Sequence, residues 1–386
     1  MKKIEQATGI TSEASVIDAY STAMHLAEEK RKQTWYAEAI IEYRNAIRQA
    51  EGLRSRARIA EALYFIGICE VRLTNLESAL ASFREARNLF QRSRNRERVA
   101  DCYGNETYVH RMRADYKTAH QLAQKALAIY EKTDNKTRAA MIHQNIGAIY
   151  IEQKRPHKAA ASMRLAFQIM TEVGNYEFAN NVRIDLAKVI YSNDEVDESL
   201  EMLDQVIQEA TNRNLTVQLA QALFTRGMML PTLLRYEEAI NDLVVATEHF
   251  HYLGDKRFEV LALTNLGSIR KLKGDNETAR VDLERAILLS KEIKLPLLEH
   301  YAIRASAMVN HRRNFHEAAT TQIESTIAYF HELGNPREEN FSVFLRGLWN
   351  AELGLKAKAV VDFDRALTFC LRNPCHALSV ETFFSV

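Results

Sequence analysis

Ala39 recurs at a fixed step of forty positions as Ala79, Ala119, Ala159, Ser199, Ala239, Ala279, Ala319 and Ala359. Seven positions further on runs a second column: Ala46, Ala86, Ala126, Ala166, Val206, Ala246, Ala286, Thr326 and Ala366. Between them lies a bulky column of Tyr43, Phe83, Ala123, Met163, Leu203, Leu243, Leu283, Ile323 and Phe363. Twelve positions ahead of the first column stand small residues: Ala27, Gly67, Thr107, Gly147, Ala187, Gly227, Gly267, Ala307 and Gly347. Nine copies in one register exclude a single compact core. A unit repeated every 20 to about 50 residues buries its apolar face only against its neighbours, so a solenoid is expected.

Each unit reads as two helices, because its small and apolar positions recur three, four and seven apart. Two antiparallel helices approach closely only where Ala or Gly removes bulk at their crossing, and the bulky column fills the space beside it. Stops such as Val173-Gly174-Asn175, Leu253-Gly254-Asp255 and Leu333-Gly334-Asn335 separate the units, and Pro336 suits a first helical turn. Pro231 falls near the end of a first helix. It removes a hydrogen bond to Gly227 and is expected to stop the helix early or widen the wall locally. Only 13 Gly and five Pro in 386 residues agree with long helices rather than a loop-rich β-fold.

These columns resemble the tetratricopeptide repeat (TPR) family, whose small residue at position 8, Ala at 20, bulky residue at 24 and Ala at 27 coincide with them. The aromatic residue common at position 17 corresponds to Tyr36, Tyr116 and Tyr236. The repeat is longer than the usual unit of the family and is similar to the long-helix branch found in bacterial signalling and sensor proteins. The family Trp near the start of the first helix is absent. The fifth unit, with Ser199 and Val206, is the weakest match, and Thr107 blurs the third. The resemblance implies an all-α, right-handed α-solenoid. Nine helix pairs are expected over 16–375, after a tail of 1–15, with 376–386 a capping helix or the start of a truncated tenth unit. It also implies that the first helices line a concave groove. Asn105, Asn145 and Asn265 then share one inward position with Asp185, beside Asp101, Tyr108, Arg111, Gln144, Asn181, Lys188 and Tyr191. An amide can pair with both N–H and C=O of an extended peptide, so this lining suits sequence-tolerant peptide capture. Phe341, Phe344 and Leu348 are expected to give the last unit an apolar wall.

Chemistry is hard to place on such a frame. No nucleophile with its base, carboxylate pair, phosphate-binding loop or dinucleotide turn is present in the sequence, so no catalytic residue, cofactor or metal site is expected. His249 and His251, two apart on a helix, point to different faces and make a poor ligand pair. Cys69, Cys102, Cys370 and Cys375 form no metal-ligand spacing and read as small buried hydrophobes of a reducing compartment. A net charge of +1 gives no global field for nucleic acid or an anionic membrane. The start has no apolar leader and no segment is long enough to span a bilayer, so a cytoplasmic location is expected. The arginines at 84, 87, 92, 94, 96 and 98 and the acids at 194, 195, 197, 198 and 201 are candidate docking patches of opposite sign.

The expected function is a binding module that takes a protein or peptide segment in its groove, as scaffold or sensor, and that can self-associate through its C-terminal end. The alternative is the regulatory N-terminal region of a longer signalling enzyme such as a nucleotide cyclase, kinase or transcription regulator. A peptide-sensing aspartate phosphatase fits less well, since those carry a separate N-terminal helical bundle.

Overall fold

The computed structural model describes residues 13–373, and all of its regular structure is helical. The first unit by contact runs to Ser199 and the second begins at Leu200. The boundary falls inside the repeat that matches its neighbours least in sequence. Helices α1 to α9 are Glu13–Lys32, Tyr36–Gly52, Arg56–Arg72, Leu76–Arg92, Arg96–Met112, Tyr116–Lys132, Lys136–Glu152, Pro156–Glu172 and Tyr176–Tyr191. Helices α10 to α18 are Val196–Asn212, Thr216–Met229, Tyr236–Tyr252, Lys256–Lys273, Asn276–Glu292, Pro296–Arg312, His316–Glu332, Pro336–Glu352 and Lys356–Arg372. These are the nine expected pairs, with α1 starting inside the expected tail. The segment 376–386, expected as a cap, lies outside the described residues.

Within each unit, consecutive helices pack as antiparallel hairpins stacked side by side, the architecture of an α-solenoid. Odd-numbered helices also touch one another across the intervening helix, as α3 with α5, α5 with α7 and α13 with α15 do. They therefore form the crowded inner layer of each unit.

The columns explain the packing. A Cβ on Gly67 would sit 2.6 Å from the Phe83 ring, and one on Gly267 would sit 2.6 Å from Leu283 Cγ. Small and bulky positions are thus one steric device, a bulky side chain of the second helix pressed on the bare backbone of the first. The third repeat inverts the device, with Thr107 opposite Ala123, both fully buried. The Thr107 hydroxyl donates to the Tyr103 carbonyl at 2.8 Å, which satisfies its polar group. Ser199, fully buried where other repeats carry Ala, donates in the same way to the Ala187 carbonyl at 2.8 Å.

Junctions recur at half the sequence period. Residue 34 and every twentieth residue after it to 354 has positive φ, and only five of these positions are Gly. At the α3–α4 junction Thr74 N–H donates to the Val71 carbonyl at 3.1 Å and Asn75 N–H to the Glu70 carbonyl at 2.9 Å. This is the Schellman closure, repeated from junction to junction. Pro231 ends α11 at Met229, and a 3₁₀ turn over Leu230–Leu233 replaces its last turn. Leu234, with φ 59°, restores the turn on schedule. The early stop expected of Pro231 is what the chain adopts.

Candidate functional site

The inner layer of the first unit is largely bonded to itself. On α5, Asp101 is 7% exposed and accepts from Tyr130 Oη at 2.6 Å and from Arg98 Nη1 at 2.8 Å. Arg98 also reaches Glu61 on α3, with Nε at 3.1 Å and Nη2 at 2.5 Å, and its guanidinium lies 4.2 Å over the Tyr64 ring. Asn105 Nδ2 donates to Tyr64 Oη and to the Asp101 carbonyl, both at 3.0 Å. Burial, and then the Asp101 charge, raise the Tyr64 and Tyr130 hydroxyls above the usual phenol range. Asp101 and Asn105 therefore belong to a closed network tying α3, α5 and α6 together. Arg87 and Arg98 of the basic run are taken into the wall in the same way, Arg87 Nε bonding Glu106 at 2.7 Å.

The other sequence-predicted residues of this unit are more open. Arg111 pairs with Glu152 on α7 and lies 5.0 Å over the Tyr108 ring. Gln144 Nε2 donates to Asp185 at 3.2 Å, and Lys188 Nζ reaches the same carboxylate at 3.3 Å. Asn145 is half-buried and has no hydrogen-bond partner among the described residues. Asn181 and Tyr191 are half-buried on α9.

Asn265 lies in the second unit and borders a cavity of about 300 Å³ between α13, α15 and α17. Leu261, Thr264, Asn265 and Ser268 line it from α13, Leu298, Tyr301, Arg304 and Met308 from α15, and Phe341 from α17. Thr264 and Ser268 turn their hydroxyls back on their own helix, donating to Val260 and Thr264 carbonyls at 2.8 Å. Asn265 Nδ2 does likewise to Leu261 at 2.8 Å, which leaves its amide oxygen for an incoming donor. Arg304 is held by Glu338 at 2.8 Å and lies 4.8 Å over Phe341. The cavity walls are thus largely apolar, with the Thr264 and Ser268 hydroxyls self-satisfied and the Asn265 amide oxygen open. Of the expected apolar wall, Phe341 lines this cavity, while Phe344 leans on Phe363 at 5.8 Å.

A second cavity of about 590 Å³ shares Met308 with the first. Sequence reading missed it, because among its Lys271, His311, Arg312, His316 and Trp349 only Lys271 and His311 share a column, and that column holds uncharged residues in most other repeats. His311 stacks flat on Trp349 at 4.7 Å, bonds Glu352 through Nε2 at 2.6 Å and faces His316 Nδ1 through its own Nδ1 at 3.2 Å. Lys271 is 2% exposed, and burial first, then the Arg312 charge, push its ammonium down to about 7.

Elsewhere, His251 bonds Glu259 at 3.2 Å and His331 bonds Glu339 at 3.1 Å, each glutamate also holding Arg285 or Arg365. The second triad stands two repeats after the first, so the period itself was the signal for it. No group of three His, Cys, Asp or Glu that could hold a metal ion occurs among the described residues. No helix among them is long and apolar enough to cross a membrane.

A family model for the MalT-like TPR region matches residues 32–249, and a tetratricopeptide repeat model matches 260–293. No curated protein matches the sequence. The apo form of RapI has a similar structure, with a TM-score of 0.65 at 12% identity over 92% of this chain and 98% of that one. A signal transduction ATPase with numerous domains and a tetratricopeptide repeat sensor, from Pyrococcus horikoshii, gives 0.61 at 14% identity over 89% of this chain and 50% of that one. The Rap conjugation gene regulator of plasmid pLS20, in complex with the Phr* peptide, gives 0.52 at 14% identity over 74% and 78%. At such identities the structures share a fold. The family match spans more than half of the 386 residues and agrees with the columns and the helix pairs, so the chain belongs to the MalT-like TPR family.

Proposed function

We propose that this TPR array is a peptide-receiving module, a scaffold or sensor whose inner wall takes an extended segment of a peptide or protein. The observation that carries this reading is Asn265. Its amide nitrogen is tied to its own helix, and its oxygen is left at the edge of an apolar cavity where a peptide N–H would need an acceptor. In the first unit the same role falls to Asn145, with Gln144, Asn181, Asp185, Lys188 and Tyr191 around it, while Tyr108 and Arg111 stay bound to each other and to Glu152. The complex of the pLS20 Rap regulator with a peptide adds support from a protein of similar fold. The test uses pools of acetylated, amidated hexapeptides. Asn265→Ala should lose about 1–3 kcal/mol of binding, since a buried peptide donor loses its acceptor. Its thermal stability should barely change. Unchanged affinity for every pool that binds the wild type would sink the reading.

A second reading, the sensor portion of a larger signalling protein, draws on the likeness to half of the Pyrococcus ATPase. It uses the same groove and differs only in what the bound peptide controls.

A further inference from the structure

The second cavity of this wall differs in kind from the first. Around the first, Arg304 is neutralised by Glu338, and Tyr301, Met308 and Phe341 leave an apolar surface. Around the second stand Lys271, His311, Arg312 and His316, with Glu352 the one acid on the lining among the described residues. That acid is already held by His311. Arg312 donates to the Lys271 carbonyl at 3.1 Å, which fixes its guanidinium, and it has no carboxylate partner among the described residues. Trp349, flat against His311, closes the apolar side with Leu348 and Leu353. A fixed guanidinium with unmet N–H groups is complementary to a carboxylate, which it can grip through two parallel hydrogen bonds.

We propose that this cavity receives a carboxylate of the bound peptide, so that the ligand of the second unit carries an acidic residue about three positions from an apolar one. The spacing follows from α15, which contributes to both cavities. Arg304 and His311 are seven positions apart, roughly 10 Å along a helix rising about 1.5 Å per residue. An extended chain advances roughly 3.3 Å per residue and covers that distance in about three residues. The inference rests on the peptide-receiving reading above and adds the chemistry of the peptide.

Trp35 and Trp349 are the two tryptophans, so the Trp35→Phe protein reports from the second cavity alone. The probes are acetylated, amidated hexapeptide pools with Leu fixed at one position and Glu or Gln fixed three positions away. Binding is read from Trp349 fluorescence and, independently, by calorimetry. The Glu pools should bind roughly tenfold tighter than the Gln pools, as a charge-assisted contact requires. Arg312→Gln should erase that preference, and Arg312→Lys should retain part of it. Equal binding of Glu and Gln pools would overturn the carboxylate assignment while leaving the peptide reading in place. Failure of every pool to bind would overturn both. A Trp349 response to inorganic phosphate without discrimination between pools would mark a site for free anions and overturn the inference as well.

Discussion

The inner layers of the two units place homologous positions in opposite use. On α5, Asp101, Asn105 and their neighbours are consumed by a network reaching Glu61, Tyr64 and Tyr130. On α13 and α15, the positions in register with Asp101 and Asn105 hold Leu261, Asn265, Tyr301 and Ala305, which border a cavity. One repeat frame can therefore be locked or left open by a few inward side chains, without any change in the columns that build it. The locked stretch ties α3, α5 and α6 to one another, and the open stretch is the one proposed above to take a ligand.

The largest expected effect comes from breaking the lock. Asp101→Ala leaves Tyr130 without its acceptor and Arg98 with Glu61 alone, which should cost about 3 kcal/mol of stability. Because a solenoid is stabilised neighbour to neighbour, the loss should appear as faster hydrogen exchange in α3, α5 and α6, with peptide binding at α13 and α15 retained. Exchange accelerating equally in every helix would contradict a local role.

An intermediate effect tests the frame that both stretches share. Gly267→Ala forces a methyl group against Leu283, an overpacking cost of roughly 1–3 kcal/mol. Adding Leu283→Ala should recover part of it, because Thr107 opposite Ala123 is the same exchange made by the chain itself. A double variant no more stable in urea than Gly267→Ala would show that the two positions are not one device.

The smallest effect concerns the junctions. Leu234 holds a left-handed conformation at 73% exposure. Left-handed backbone costs a side-chain-bearing residue roughly 1–2 kcal/mol, partly offset by the entropy of glycine, so Leu234→Gly should stabilise by about 0.5–1 kcal/mol. A fall in Tm would show that Leu234 makes a contact worth more than its strain.

How far the sequence could be read follows from which features are periodic. The helix pairs, the small-on-bulky crossing and the shared register position of Asn105, Asn145 and Asn265 all recur with the full period, so they were legible. The half-period of the junctions was not, because 12 of the left-handed positions carry residues other than Gly and give no local signal. The difference between Asn105 and Asn265 was also hidden. It depends on Tyr64, in the preceding repeat, reaching Asn105, a contact made once and repeated nowhere among the described residues. The Arg312 cavity was missed because, of its cations, only Lys271 and His311 share a column, one that holds uncharged residues in most other repeats, while Arg312 and His316 stand outside it.

The central claim is that the second unit's inner wall is open to a ligand while the Asp101 stretch is not. Hydrogen exchange of the whole chain, with and without a hexapeptide pool that binds it, tests this directly. The account predicts slower exchange on binding in Lys256–Lys273, Pro296–Arg312 and Pro336–Glu352, and no change in Arg96–Met112. Protection confined to Arg96–Met112, with those three helices unaffected, would contradict it.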